Sequence, residues 1–152
     1  MKKLKVLYKR TGRNPEVVEI EDTLIEKQKL VGGLIEVIPY YDKLLICNEN
    51  GKLDGLKPNV IFDYDYIAGN FFIANDDYKN AGFKSLNNKD IECLKSQLKS
   101  RSVNYSDEEM KEILQREKEE LEEFYKDYEK DIVFNEKIHN SELENNDNER
   151  ID

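Results

Sequence analysis

The chain has 152 residues, of which 38% are hydrophobic and 38% charged, with a net charge of −9. That is enough apolar residue for one modest core, with far more charge than the usual quarter or so. No run approaches the roughly 18 apolar residues of a membrane span, and Met1 to Val6 carries lysines without a following apolar run, so no signal peptide is expected. A cytoplasmic protein is expected.

The charge is uneven. Residues 1–105 hold 17 Lys and Arg against 15 Asp and Glu, a sum of +2. Residues 106–152 hold 7 against 18, a sum of −11. This places a composition boundary at Ser106, with an α+β domain over 1–105, an acidic amphipathic helix over 106–135 and a disordered tail over 136–152.

In chain order, Leu4 to Tyr8 and Glu16 to Ile20 are short apolar-rich runs. Thr11-Gly12-Arg13-Asn14-Pro15 lies between them, so the segment predicts a strand–loop–strand hairpin. Thr23-Leu24-Ile25-Glu26 has the form of a capping box and opens a helix over 24–31 that should stop at Gly32. Leu34 to Pro39 and Lys43 to Asn48 read as two strands. Asn50-Gly51 is a strong turn signal that returns the chain through Lys52-Leu53. Gly55, Pro58 and Asn59 should break regular structure. Ile67 to Ala74 predicts one strand with a bulge or close contact at Gly69. Asn87-Asn88-Lys89-Asp90 caps a second helix, with Ile91, Leu94 and Leu98 on one face. The sum is a small, mostly antiparallel sheet with two helices on one side.

Beyond the boundary, Ser106-Asp107-Glu108-Glu109 is another capping box with carboxylates in the first turn, where the helix dipole favours them. Met110, Ile113, Leu114, Leu121, Phe124, Tyr125, Tyr128 and Ile132 follow at helical spacing. Such a stripe exists to be buried, on the body or on a second copy, and a homodimer is expected. From Asn140 to Asp152 nothing supports a fold.

Catalytic chemistry is sparsely represented. His139 is the sole histidine and falls in the tail, where it reads as solvated. Cys47 and Cys93 lack metal-type spacing and read as reduced thiols. There is no nucleophile elbow, phosphate loop or dinucleotide fingerprint. Asp63-x-Asp65 and Asp76-Asp77 have hard-cation donors, yet adjacent carboxylates in an acidic chain are ordinarily solvated. No metal and no cofactor is expected. A metal-dependent hydrolase using Asp63, Asp65 or Glu36 ranks as a third reading.

The segment from Lys52 to Phe72 is more suggestive. Lys52, Lys57, Asn59, Tyr64, Tyr66 and Asn70 supply cations, amides and aromatic faces around Gly55 and Gly69, and Phe62 lies among them. Donors for a phosphate and rings for a base are what a small anionic or nucleotide ligand requires. These six are the candidate ligand contacts. The structural alternative is a surface loop whose aromatics cover a sheet edge.

Four blocks occur in order: Leu30-Val31-Gly32-Gly33-Leu34-Ile35-Glu36-Val37, Cys47-Asn48-Glu49-Asn50-Gly51-Lys52-Leu53, Gly55-Leu56-Lys57-Pro58-Asn59, and Ile67-Ala68-Gly69-Asn70-Phe71-Phe72-Ile73. Over about residues 4–98 the chain resembles a family of small domains of unknown function found in phages, plasmids and Firmicutes genomes. The family pattern often has a basic residue after the Pro-Asn pair, where this chain has Val60. The resemblance implies a mobile-element setting inside a bacterial host cytoplasm, in which small non-enzymatic proteins often counter host defences. The leading expectation is a binding protein, not an enzyme, that sequesters a nucleotide-derived immune signal. The alternative is a protein-interaction or DNA-mimic inhibitor acting through the acidic helix. Direct nucleic-acid binding is not expected from so acidic a chain.

Overall fold

The computed structural model describes residues 2–127. The chain divides into two units, the first running to Leu114 and the second starting at Gln115. The expected helix over 128–135, the disordered tail over 136–152 and His139 all lie outside the described residues.

The first unit is α+β, as its sequence predicts. β1 (Lys3–Lys9) and β2 (Glu16–Glu21) form the expected hairpin, paired antiparallel from Lys3↔Glu21 to Tyr8↔Glu16. α1 (Leu24–Val31) starts at Thr23, whose side chain accepts from the Glu26 amide, and ends at Gly32 in the left-handed region, with φ 75°. β3 (Ile35–Tyr40) and β4 (Lys43–Asn48) form a second hairpin. β5 (Pro58–Ile61) and β6 (Tyr66–Ala68) make a separate two-stranded sheet. β7 (Phe71–Asp77), β8 (Gly82–Lys84) and α2 (Asn88–Arg101) complete the unit. The main sheet runs β2-β1-β7-β4-β3, with β8 pairing the end of β7, and every pairing is antiparallel.

Strand period two explains the layering. Leu4, Val6, Ile46, Phe72 and Ala74 pack on one sheet face with Val31 of α1. Leu7, Leu45, Cys47, Phe71 and Ile73 pack on the other with Ile91, Leu94 and Leu98 of α2 and with Val60 and Ile67 of the small sheet. The two helices therefore lie on opposite faces, not on one side. The reason is in β4 and β7, which are apolar at successive positions and so need cover on both faces. Each of the fully buried aliphatic side chains contributes about 1.5–3 kcal/mol by leaving water.

Three further differences arise between residues 49 and 84. The segment predicted as one strand over 67–74 is two strands in two sheets, broken at Gly69 and Asn70. Gly69 has φ 85°, and a side chain there would collide with Leu56, so the break requires glycine. Asn50-Gly51 does not close a two-residue hairpin. It opens a run of turns, with Asp54 N donating to Asn50 O at 2.8 Å and Leu56 N to Gly51 O at 2.9 Å. Pro58 and Asn59, expected to break structure, sit in β5, where the register shifts between Pro58 and Val60. That bulge turns Asn59 inward. β8 is too short to carry a period of its own.

α2 begins with a full capping box: Asn87 accepts from the Asp90 amide, and Asp90 accepts from the Asn87 amide. α3, residues 107–127, starts the same way, with Ser106 and Glu109 exchanging hydrogen bonds at 3.2 and 3.3 Å. Ile113 is buried, while Leu114 and Leu121 are exposed.

Candidate functional site

The small sheet lies over the face of the main sheet that carries α2, and its Phe62–Asp65 turn reaches β3. Phe62 packs against the core, with its ring 5.7 Å from that of Tyr40. Tyr40 and Tyr41 meet edge to face at 4.9 Å. Tyr41 closes the β3–β4 turn with φ 52° and is 74% exposed, so its ring is presented to solvent.

α2 supplies the polar groups. Cys93, Gln97 and Arg101 recur every four residues and so share one line along the helix. The Tyr40 hydroxyl donates to Gln97 Oε1 at 3.0 Å. Gln97 Nε2 lies 3.6 Å from Cys93 Sγ. The Arg101 guanidinium sits over the Phe62 ring, 5.2 Å from its centroid. Burial pushes the Tyr40 hydroxyl above its usual pKa, against the opposing pull of Arg101 beside it. Among the described residues no carboxylate lies within ion-pair distance of Arg101. A planar cation on an aromatic ring, beside the Tyr40 hydroxyl and on one helix line with the Gln97 amide, is suited to an anion attached to a ring.

The six residues named from sequence divide between two environments. Lys52 and Tyr66 come together: Lys52 Nζ lies over the Tyr66 ring at 4.7 Å and pairs with Asp65. The hydrogen bond to Asp65 holds the Lys52 ammonium above its usual pKa, and Lys52 holds Asp65 below its own. Tyr64 is fully exposed at the tip of the same turn. Lys57 is half-buried before β5, and its carbonyl accepts from Gly69 N.

Asn59 and Asn70 are held by the fold. Asn59 is fully buried and donates to the carbonyls of Lys9 at 2.8 Å and Gly69 at 2.9 Å. Its Oδ1 accepts from Lys9 Nζ at 2.8 Å. Lys9 is itself fully buried, and burial lowers its pKa to about 8. Asn70 Oδ1 accepts from Thr11 N at 2.9 Å. Val60 is fully buried.

Sequence reasoning missed Tyr40, Tyr41, Gln97 and Arg101. The available signal was the four-residue recurrence of Cys93, Gln97 and Arg101 beside the apolar line of Ile91, Leu94 and Leu98. Its meaning depends on two hairpins far upstream, since Gln97 meets Tyr40 and Arg101 meets Phe62.

The carboxylates suggested for metal chemistry do not converge. Glu36 pairs across from Cys47, Asp65 is engaged by Lys52 and by the Tyr66 amide, and Asp77 accepts from Asn80 at 3.0 Å. Among the described residues there is no group of three or more His, Cys, Asp or Glu placed to hold a metal ion. Among them, too, no helix is long and apolar enough to cross a membrane. Cys47 is buried, with its thiol pushed up to about 11, and Cys93 is exposed.

No curated protein and no solved structure matches the chain. The model of a domain of unknown function, DUF3846, matches residues 1–100, and the chain belongs to that family.

Proposed function

We propose that the protein acts by binding rather than by catalysis. Its ligand is a small anionic molecule of nucleotide type, held on the aromatic and cationic patch formed by Tyr40, Tyr41, Phe62 and Arg101. In a mobile-element setting, sequestering such a molecule would deprive a host defence of its signal.

The observation that carries this reading is Arg101. It is stacked on Phe62 and next to the Tyr40 hydroxyl, without a carboxylate among the described residues to neutralise it. Lys52, the cation favoured by sequence, is already matched by Asp65. An arginine in this setting offers paired N–H donors to a phosphate at low rearrangement cost. Aromatic faces add about 1–3 kcal/mol per stacked base.

The test is a thermal-shift screen of the full chain against mononucleotides, cyclic dinucleotides, cyclic oligonucleotides and ADP-ribose derivatives. A ligand at about 100 times its Kd adds about 2.7 kcal/mol, which is several degrees in Tm. Recovery of the ligand unchanged separates sequestration from turnover. A panel without any shift rejects the reading.

A second reading is contact with a protein partner through α3. It is favoured by Leu114 and Leu121, which are exposed seven residues apart on a helix rich in carboxylates. Loss of biological activity on deleting residues 115–152, with ligand panels silent, would select it.

A further inference from the structure

Resting on the same patch, the charges around it define what the ligand carries. We infer that it bears a single anionic group joined to one aromatic ring, as in a nucleoside monophosphate, and not two separated phosphates.

The cations near the patch are unequal. Lys52 pairs with Asp65, and Glu36 on β3 adds further negative potential beside it. Towards the N-terminal end of α2, Lys43 lies between two carboxylates, 3.0 Å from Asp42 and 3.2 Å from Asp90. Lys95 and Lys99 are two residues removed from Gln97, which puts them on the opposite side of α2 from the Cys93–Gln97–Arg101 line. Lys57 precedes β5, at the end of the small sheet away from the Phe62–Asp65 turn. Arg101 is thus the one cation among these that faces the patch without a carboxylate partner. The lysines on either side are already engaged, Lys52 by Asp65 and Lys43 by Asp42 and Asp90, so neither is left to neutralise a second phosphate.

The remaining geometry places the ring. Arg101, Gln97 and Cys93 share one line of α2, a span of about 12 Å at 1.5 Å per residue, and with an anion on Arg101 the attached ring lies along it. Exposed Tyr41 stands edge to face against Tyr40, whose hydroxyl donates to Gln97 on that line. The Gln97 amide is fixed by Tyr40 and available to an edge of the ring. A bound ring therefore covers the Cys93 thiol, and because Cys47 is buried and its thiol resists ionisation, Cys93 reports occupancy by itself.

The experiment measures reaction of Cys93 with a disulfide reagent in the full chain. The probes are inorganic phosphate, the four nucleoside monophosphates and cyclic di-AMP. At least one monophosphate is expected to slow Cys93 at least fivefold at saturation and to bind at least tenfold tighter than phosphate. Cyclic di-AMP should bind no tighter than that monophosphate. Arg101→Ala should weaken binding at least tenfold, and Lys52→Ala less than twofold. Cyclic di-AMP binding tenfold tighter, with loss on Lys52→Ala, overturns the single-anion inference and leaves the binding patch standing. No protection by any monophosphate also overturns it, and the patch reading falls as well if the wider ligand panel gives no Arg101-dependent shift.

Discussion

Replacing Lys9 with Met separates a buried charge from the packing around it. Lys9 is fully buried, and among the described residues its ammonium donates to the Asn59 side-chain oxygen at 2.8 Å and the Arg10 carbonyl at 3.0 Å, with no carboxylate beside it. Its pKa falls from 10.5 to about 8, through burial. Between those values the unfolded chain binds more protons than the folded one, so this residue makes stability rise with pH. Below pH 8 the ammonium is carried into the core at nearly its full cost. Above 10.5 the amine is neutral in both states and that cost is gone. With the folded value near 8, the change between pH 7 and pH 10 is about 2.5 kcal/mol. Lys9→Met deletes the titration but leaves the Asn59 oxygen without its donor, a pH-independent loss of about 1–3 kcal/mol. Urea unfolding of both proteins across pH 7 to 10 is the assay. The difference between them should move in favour of the natural chain by about 2.5 kcal/mol as pH rises. A difference constant to within about 0.5 kcal/mol would refute the reasoning, since it would mean that the folded ammonium is solvated.

Other outcomes follow from the same structure. Asn87→Ala removes the acceptor for the Asp90 amide and should cost about 1 kcal/mol in chemical denaturation, with Asn87→Gly costing less. Leu98→Ala empties a fully buried position between α2 and the sheet and should cost about 2–5 kcal/mol; a loss below about 1 kcal/mol would show that α2 is not packed as described. In the native protein one thiol should react rapidly with a disulfide reagent and the second only after unfolding, because Cys93 is exposed and Cys47 buried. Two fast thiols would place Cys47 at the surface.

Local chemistry made much of the fold legible. Thr23 and Gly32 delimit α1, and Asn87 with Asp90 opens α2, because caps act within four residues of themselves. The β1–β2 hairpin was marked by two apolar runs around Gly12 and Pro15. What could not be read was which sheet a strand joins. Ile67 to Ile73 is apolar apart from Gly69 and Asn70, which in sequence read as a bulge within one strand, and the collision of a side chain at Gly69 with Leu56 shows why the chain changes sheets there. The placement of α1 and α2 on opposite faces follows from successive apolar residues in β4 and β7, a signal that the sequence contains but that strand alternation does not by itself interpret.

The six candidate residues named from sequence come together only in part. Tyr64, Tyr66 and Lys52 do cluster at one turn. Asn59 and Asn70 look the same in sequence, yet their amides satisfy backbone atoms of Lys9, Gly69 and Thr11, far along the chain or across a break. Buried polar groups need such partners, and nothing local announces them. Arg101 acquires its meaning from Phe62 and Tyr40, which reach it only through the tertiary fold.

The most direct test of the account is a calorimetric titration of the strongest hit from the ligand panel into the natural chain and into Arg101→Ala. The account predicts saturable binding to the natural chain and at least a tenfold loss in the variant, with both proteins equally stable without ligand. Equal affinity in the two proteins would contradict it, because binding would then lie somewhere other than the patch beside Phe62.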